Sequence, residues 1–134
     1  DQPVRDAYAR HDLSVIRLAT PTTNAQRMAK VAEGASGFLY YVAVAGVTGA
    51  GSADPEDIRA GVELAQRVSG LPVCVGFGIK NGEQAAAMAK IADGVVVGSA
   101  FVEHARLASV AKTPQVTAEK MGALALELST ALKG

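Results

Sequence analysis

Short runs of apolar and β-branched residues alternate along the chain with longer alanine-rich stretches whose apolar positions recur every three or four residues, the pattern of strands alternating with helices. Val4 to Arg10 reads as the end of a helix and Leu13 to Ala19 as a first strand, closed by the turn residues Thr20-Pro21-Thr22-Thr23-Asn24. Asn24 is placed to cap a helix over Ala25 to Glu33, which Gly34 ends. A second strand, Phe38 to Val44, runs through the loop Ala45 to Ala53. The next helix opens with Asp54 as N-cap, Pro55 in its first position and Asp57 in its third, and runs to about Val68. A third strand, Pro72 to Val75, leads through Gly76 to Gly82 into a helix over Glu83 to Ile91, and the fourth strand is Val95 to Val97. A short helix then runs from Gly98-Ser99-Ala100 to about Ala108, a break falls at Lys112-Thr113-Pro114, and a terminal helix follows. In that helix Met121, Leu124, Ala125, Leu128 and Leu132 form one apolar stripe, expected to lie on a sheet.

Strand starts recur at roughly 20 to 35 residues, the length of a βα unit, and strands apolar on both faces argue for a parallel sheet covered by helices. The class is α/β. Such units can build an open doubly wound sheet or half of an eight-stranded barrel, and the pattern does not choose between them.

With 134 residues and 49% hydrophobic content the chain can form one domain with a real core. Lys+Arg and Asp+Glu both number 13, so no basic field is present for nucleic acid or an anionic membrane, and a small neutral or singly anionic ligand fits better. No stretch approaches the roughly 20 apolar residues of a membrane span, and Asp1-Gln2-Pro3 does not begin a signal region, so a soluble, cytoplasmic protein is expected. Cys74, the single cysteine, sits in Leu71-Pro72-Val73-Cys74-Val75 and reads as a buried structural thiol. Aromatic content of 4% without tryptophan suggests no stacking platform for bases.

In parallel α/β folds ligands gather at the C-terminal ends of the strands. Three of those ends are glycine-rich: Gly46, Gly49 and Gly51 after the second strand, Gly76, Gly78 and Gly82 after the third, and Gly98 after the fourth. Glycine lets backbone N–H groups approach a ligand, and a helix N-terminus adds positive potential, so converging loops of this kind make a phosphate site without lysine or arginine. Gly76-Phe77-Gly78 does not extend to a dinucleotide fingerprint, because Asn81 stands where the third glycine belongs and Asp93 precedes a strand. The other carboxylates fall on helices or at their edges, Glu127 among them, and none stands at a strand tip where a general acid or base would act. His11 precedes a strand and His104 lies on a helix; neither has the spacing of a metal pair, and both are expected to be solvated.

Phe38-Leu39-Tyr40-Tyr41-Val42, Gly46-Val47-Thr48-Gly49-Ala50, Gly76-Phe77-Gly78-Ile79 and Gly94 to Val97 with Gly98-Ser99-Ala100, in that order, together resemble the tryptophan synthase alpha subunit family. Ile16-Arg17-Leu18-Ala19-Thr20-Pro21-Thr22-Thr23 is similar to a bacterial version of it. The resemblance implies a TIM (βα)8 barrel of which residues 1–134 form the C-terminal half, about strands five to eight. It also implies a lyase that cleaves indole-3-glycerol phosphate by a retro-aldol reaction into indole and glyceraldehyde 3-phosphate, with indole passing to a beta subunit that carries pyridoxal phosphate. Gly49, Gly78, Gly98 and Ser99 match the family's phosphate-binding positions, Thr48, Phe77 and Val96 its indole pocket, and Tyr40 the tyrosine that hydrogen-bonds the catalytic aspartate. No cofactor and no metal is implied for this chain itself.

Two departures matter. Val44 stands where many relatives carry a polar or basic residue, and the catalytic glutamate and aspartate belong to the half not represented in this sequence. Other phosphate-binding barrels, such as an indole-glycerol-phosphate synthase or a pentulose-phosphate epimerase, would share the glycine loops but not Tyr40-Tyr41 followed by Gly-Val-Thr-Gly. A different class of reading is a phosphate-binding half-barrel that pairs with itself through its two open edges, the Leu13 to Ala19 and Val95 to Val97 strands.

Overall fold

The structure is a computed structural model that describes residues 2–43, 55–76, 78–111 and 114–133. Its elements are α1 (Gln2–Arg10), β1 (Arg17–Ala19), α2 (Ala25–Ala32), β2 (Leu39–Val42), α3 (Pro55–Ser69), β3 (Val73–Gly76), α4 (Gly82–Ala89), β4 (Gly94–Val96), α5 (Ser99–Ala111) and α6 (Pro114–Ala131). The four strands form one parallel sheet in the order β1-β2-β3-β4. This monotonic order resolves the choice that the sequence pattern leaves open. A doubly wound sheet reverses direction part-way, whereas strands that step steadily one way, with right-handed crossovers, place their helices on a single face, as in a (βα)8 barrel.

Strand alternation divides the side chains accordingly. Ala19, Leu39, Tyr41, Ala43, Val73 and Val75 are buried together with Met28 of α2, Ile58, Val62 and Ala65 of α3, and Ile91. A second cluster joins Ile79, Ala85, Leu124 and Leu128, with Val95, Val97 and Phe101 packed against it. Among the described residues no helix covers the opposite face, which carries Leu18, Tyr40, Val42, Cys74 and Val96, and Leu18 is 61% exposed. Its residues are apolar because a barrel interior is lined on that side as well.

Element boundaries differ from the expected ones for local reasons. The first strand is three residues long, Arg17–Ala19, not the expected Leu13 to Ala19. Asp12 adopts a left-handed conformation (φ 53°) and the Leu13 N–H closes back on the Tyr8 carbonyl at 2.9 Å, so the chain is still leaving α1 at that point. Val15 then bonds to Ser36 through both the Ser36 hydroxyl (2.8 Å) and the Ser36 N–H (3.0 Å), a loop contact in place of a ladder. Asn24 caps α2 as expected, its side chain accepting the Arg27 N–H at 3.0 Å. Asp54, expected to cap α3, and Val44, expected to end β2, lie outside the described residues. The helix after β4 continues to Ala111, past the expected Ala108.

The terminal helix also departs from expectation. α6 packs chiefly on α4 and α5 and not flat on the sheet. Of its stripe only Leu124 and Leu128 are buried, Ala125 being exposed and Leu132 43% exposed.

Asp93 fastens the end of the sheet away from the glycine loops. Its carboxylate accepts the Val73 N–H and the Gln66 side-chain amide, both at 2.8 Å, while its own N–H donates to the Val73 carbonyl at 3.0 Å. The backbone bond from Val73, followed by the bond from Gln66, holds the Asp93 carboxyl below its ordinary range. Because the folded-state pKa is lowered, this stabilisation is fully present above the ordinary carboxylate range, about pH 4, and is lost as pH falls through the depressed value. Asp93→Ala is expected to cost about 1 kcal/mol near neutral pH, and urea unfolding of the variant and the parent chain should converge as the pH is lowered below that range.

Candidate functional site

Register places the open-face residues in two rows. Leu18 pairs with Tyr40, Tyr40 with Cys74 and Cys74 with Gly94, forming the lower row. Val42 pairs with Gly76 and Gly76 with Val96 in the upper row, nearer the C-terminal strand ends. A Cβ on Gly76 would collide with the Tyr40 hydroxyl and lie 2.9 Å from the Val96 carbonyl oxygen. The Tyr40 ring therefore leans from its own row over bare backbone, and its hydroxyl stands at the level where β3 gives way to its glycine loop. A Cβ on Gly94 would likewise meet the Cys74 sulfur at 2.8 Å. Two glycines on this face thus make room for two larger side chains.

The adjacent tyrosine has a different role. Tyr41 points to the helix side and is 1% exposed, its hydroxyl occupying the space beside Gly61 of α3. Burial, and then the charge of Asp57, push its hydroxyl pKa up, so it stays a neutral core group. Burial and then Asp93 also push the Cys74 thiol up, away from the thiolate form; this thiol is half-buried, not fully enclosed as the sequence suggests, yet it is unactivated.

At the C-terminal ends of β3 and β4 the expected phosphate residues are exposed. Gly78 has φ +74°, a left-handed conformation that side chains rarely adopt. Gly98 precedes α5 and its carbonyl accepts the Phe101 and Val102 N–H groups at 3.0 and 3.1 Å. Gly98 has no side chain to cap α5, and Ser99 begins the helix in the open. By contrast α2 is capped by Asn24, and α4 by Asn81, whose side chain accepts the Gln84 N–H at 3.0 Å. Among the described residues no side chain caps the start of α5, which leaves backbone donors and the positive end of the helix dipole at the C-terminal end of the strands. Gly78, Gly98 and Ser99 therefore lie at the C-terminal end of the sheet, the end toward which the Tyr40 hydroxyl leans on the open face that Val96 shares. Gly49, Thr48 and Phe77 lie outside the described residues.

Sequence reasoning overlooked two features. Gly76 was grouped with the turn glycines, but it is the last strand residue and supports Tyr40; the two-residue spacing of Tyr40 and Val42 against Cys74 and Gly76 is the signal for it. Glu127 lies on a helix as expected, yet its carboxylate reaches across to the start of α4 and accepts the Gly82 N–H at 2.6 Å. A contact spanning 45 positions leaves no trace in local spacing. His11 is exposed as expected, whereas His104 is half-buried on α5. Among the described residues no cluster of His, Cys, Asp or Glu has the composition of a metal site, and no helix is long and apolar enough to cross a membrane.

The family model described as "Tryptophan synthase alpha chain" matches residues 1–133. A tryptophan synthase alpha chain from Caulobacter vibrioides is 47% identical over 131 residues, covering 98% of this chain and 47% of the relative. One from Zymomonas mobilis is 52% identical over 121 residues, covering 90% and 43% respectively. Among solved structures, tryptophan synthase subunit alpha from Legionella pneumophila superposes with a TM-score of 0.80 at 35% identity, covering 98% of this chain and 47% of that one. A Mycobacterium tuberculosis tryptophan synthase structure gives 0.76 at 36% identity, covering 98% and 46%. The chain spans about half the length of the curated relatives it matches, 47% in the Caulobacter case. Sequential parallel strands, glycine-ended loops at one rim and these similarities agree: the chain belongs to the tryptophan synthase alpha chain family.

Proposed function

We propose that this chain supplies the phosphate-binding and indole-binding part of the alpha reaction of tryptophan biosynthesis, the retro-aldol cleavage of indole-3-glycerol phosphate to indole and glyceraldehyde 3-phosphate. It corresponds in this reading to about strands five to eight of the (βα)8 barrel. The observation that carries the reading is the convergence at one rim of exposed Gly78, the uncapped Gly98-Ser99 start of α5 and the Tyr40 hydroxyl above Gly76. Backbone N–H groups of Gly78, Gly98 and Ser99, joined by Gly49, receive the phosphate, and Val96, with Thr48 and Phe77, lines the indole pocket.

Retro-aldol cleavage requires a proton delivered to the indole ring and a base that takes the glyceryl hydroxyl proton. Among the described residues no carboxylate lies on the open face: Leu18, Tyr40, Val42, Cys74, Gly76 and Val96 supply none. Tyr40 instead orients, by a hydrogen bond, a catalytic aspartate contributed by another segment. Both carboxylates come from the other half of the barrel in the family's full-length form. The product indole passes to a beta subunit, and pyridoxal phosphate belongs to that partner and not to this chain. The working form is a cytoplasmic heterotetramer.

A second reading, a phosphate-binding half-barrel that pairs with itself, is favoured by the two sheet edges. A concavity of about 580 Å3 borders β1, lined by Ile16, Leu18 and Val31 with Arg5, Arg17 and Arg27. One of about 450 Å3 borders β4, lined by Val95, Val97, Phe101, Leu128 and Leu132. Edge strands that border open concavities, the second of them largely apolar, favour pairing with another chain.

On titration with glycerol 3-phosphate, the amides of Gly78, Gly98 and Ser99 should shift first in NMR spectra; shifts clustered near His11 and His104 would refute the assignment. The 134-residue chain alone should release no indole from indole-3-glycerol phosphate. Activity that survives rigorous purification and falls in Tyr40→Phe would mean that a carboxylate in this chain had been overlooked. In sedimentation over a concentration series the chain should self-associate, and a sharp monomer at high concentration with cooperative unfolding would rule out pairing through the edges.

A further inference from the structure

The segment after β3 that ends in α4 is gripped from outside the sheet by a single face of α6. Ile79, 6% exposed, packs with Leu124 and Leu128. One turn along the same face, Glu127 Oε1 accepts the Gly82 N–H at 2.6 Å. A Cβ on Gly82 would lie 3.1 Å from Ala131 Cβ and 3.2 Å from Glu127 Oε1, so only a bare residue lets α6 approach this closely. Between these anchors, the Lys80 N–H donates to Gln84 Oε1 at 2.8 Å and the Gln84 N–H to Asn81 Oδ1 at 3.0 Å. Gly78 immediately precedes this clamped stretch, is exposed, and has open space where a side chain would stand.

A carboxylate suits this position for a physical reason. The first turn of a helix presents unsatisfied N–H groups and the positive end of its dipole, and a charged acceptor there makes a stronger bond than a neutral one. The start of α4 thus already holds an anion belonging to the protein, while among the described residues the neighbouring start of α5 holds none. An incoming phosphate is directed away from α4 and toward Gly78 and the Gly98-Ser99 rim.

We propose that Glu127, together with the Ile79 seat on Leu124 and Leu128, is a positioning residue that fixes Gly78 for the substrate phosphate. The proposal rests on the phosphate site put forward above. Glu127 does not touch the ligand; it sets where the loop presents its donor.

The test is glycerol 3-phosphate titration of the 134-residue chain and two variants, followed amide by amide in NMR spectra, with thermal melting in parallel. Glu127→Ala should weaken binding roughly tenfold. At saturation Gly78 should reach an altered bound-state shift while Gly98 and Ser99 reach those of the parent chain. Glu127→Gln, which keeps an oxygen acceptor, should restore affinity to within about threefold. Parent-like affinity and an unchanged Gly78 shift in Glu127→Ala would overturn the proposal. So would loss of all three responses together with cooperative melting, since Glu127 would then only support the fold. If the parent chain itself shifts none of these amides, the phosphate reading falls and this proposal with it, whereas binding by the parent that is indifferent to Glu127 removes the positioning role alone.

Discussion

Everything in this structure depends on the parity of its strands. Four parallel strands in sequential order, joined by right-handed crossovers, must send their helices to one side, so a residue's odd or even place in its strand decides between burial under helices and the open face. Tyr40 and Tyr41 show the constraint at its sharpest. Chemically identical and adjacent, one is a core group beside Gly61 and the other leans over Gly76 toward the ligand rim. A one-residue slip of β2 would exchange them and bury the hydroxyl that stands over Gly76.

The two ends of the sheet are built from different chemistry. At one end Asp93 gathers Val73 and Gln66 by side-chain bonds, fastening strand to helix. At the other, glycines leave the backbone uncovered, and the packing that holds the loops comes from behind, through Ile79 against Leu124 and Leu128. The stabilising groups thus lie away from the rim where donors face solvent, as the barrel architecture requires.

Much of this was legible in the sequence because it is encoded locally. Asn24 with its helix, Pro55 at the first turn of α3, and the alternation of strand and helix were read directly from spacing, and the family resemblance was confirmed over residues 1–133. Strand order was not legible, since the same βα units suit two topologies until pairing is known. Nor was the length of β1, which is limited by the turn at Asp12 and by the loop around Ser36. Of the candidate site, the glycines that follow strands β3 and β4 were legible, because each stands beside a recognisable strand. The contacts of Gly76 beneath Tyr40 and of Glu127 with Gly82 join distant segments, and no local spacing records them.

The bare backbone at Gly76 has one more consequence. Since the Tyr40 ring rests where a side chain at position 76 would otherwise stand, residue 76 acts as the floor beneath that hydroxyl. Any atom added there would have to displace the Tyr40 ring. The place of this tyrosine hydroxyl is thus set by the smallest residue of the neighbouring strand and not by any larger side chain around it.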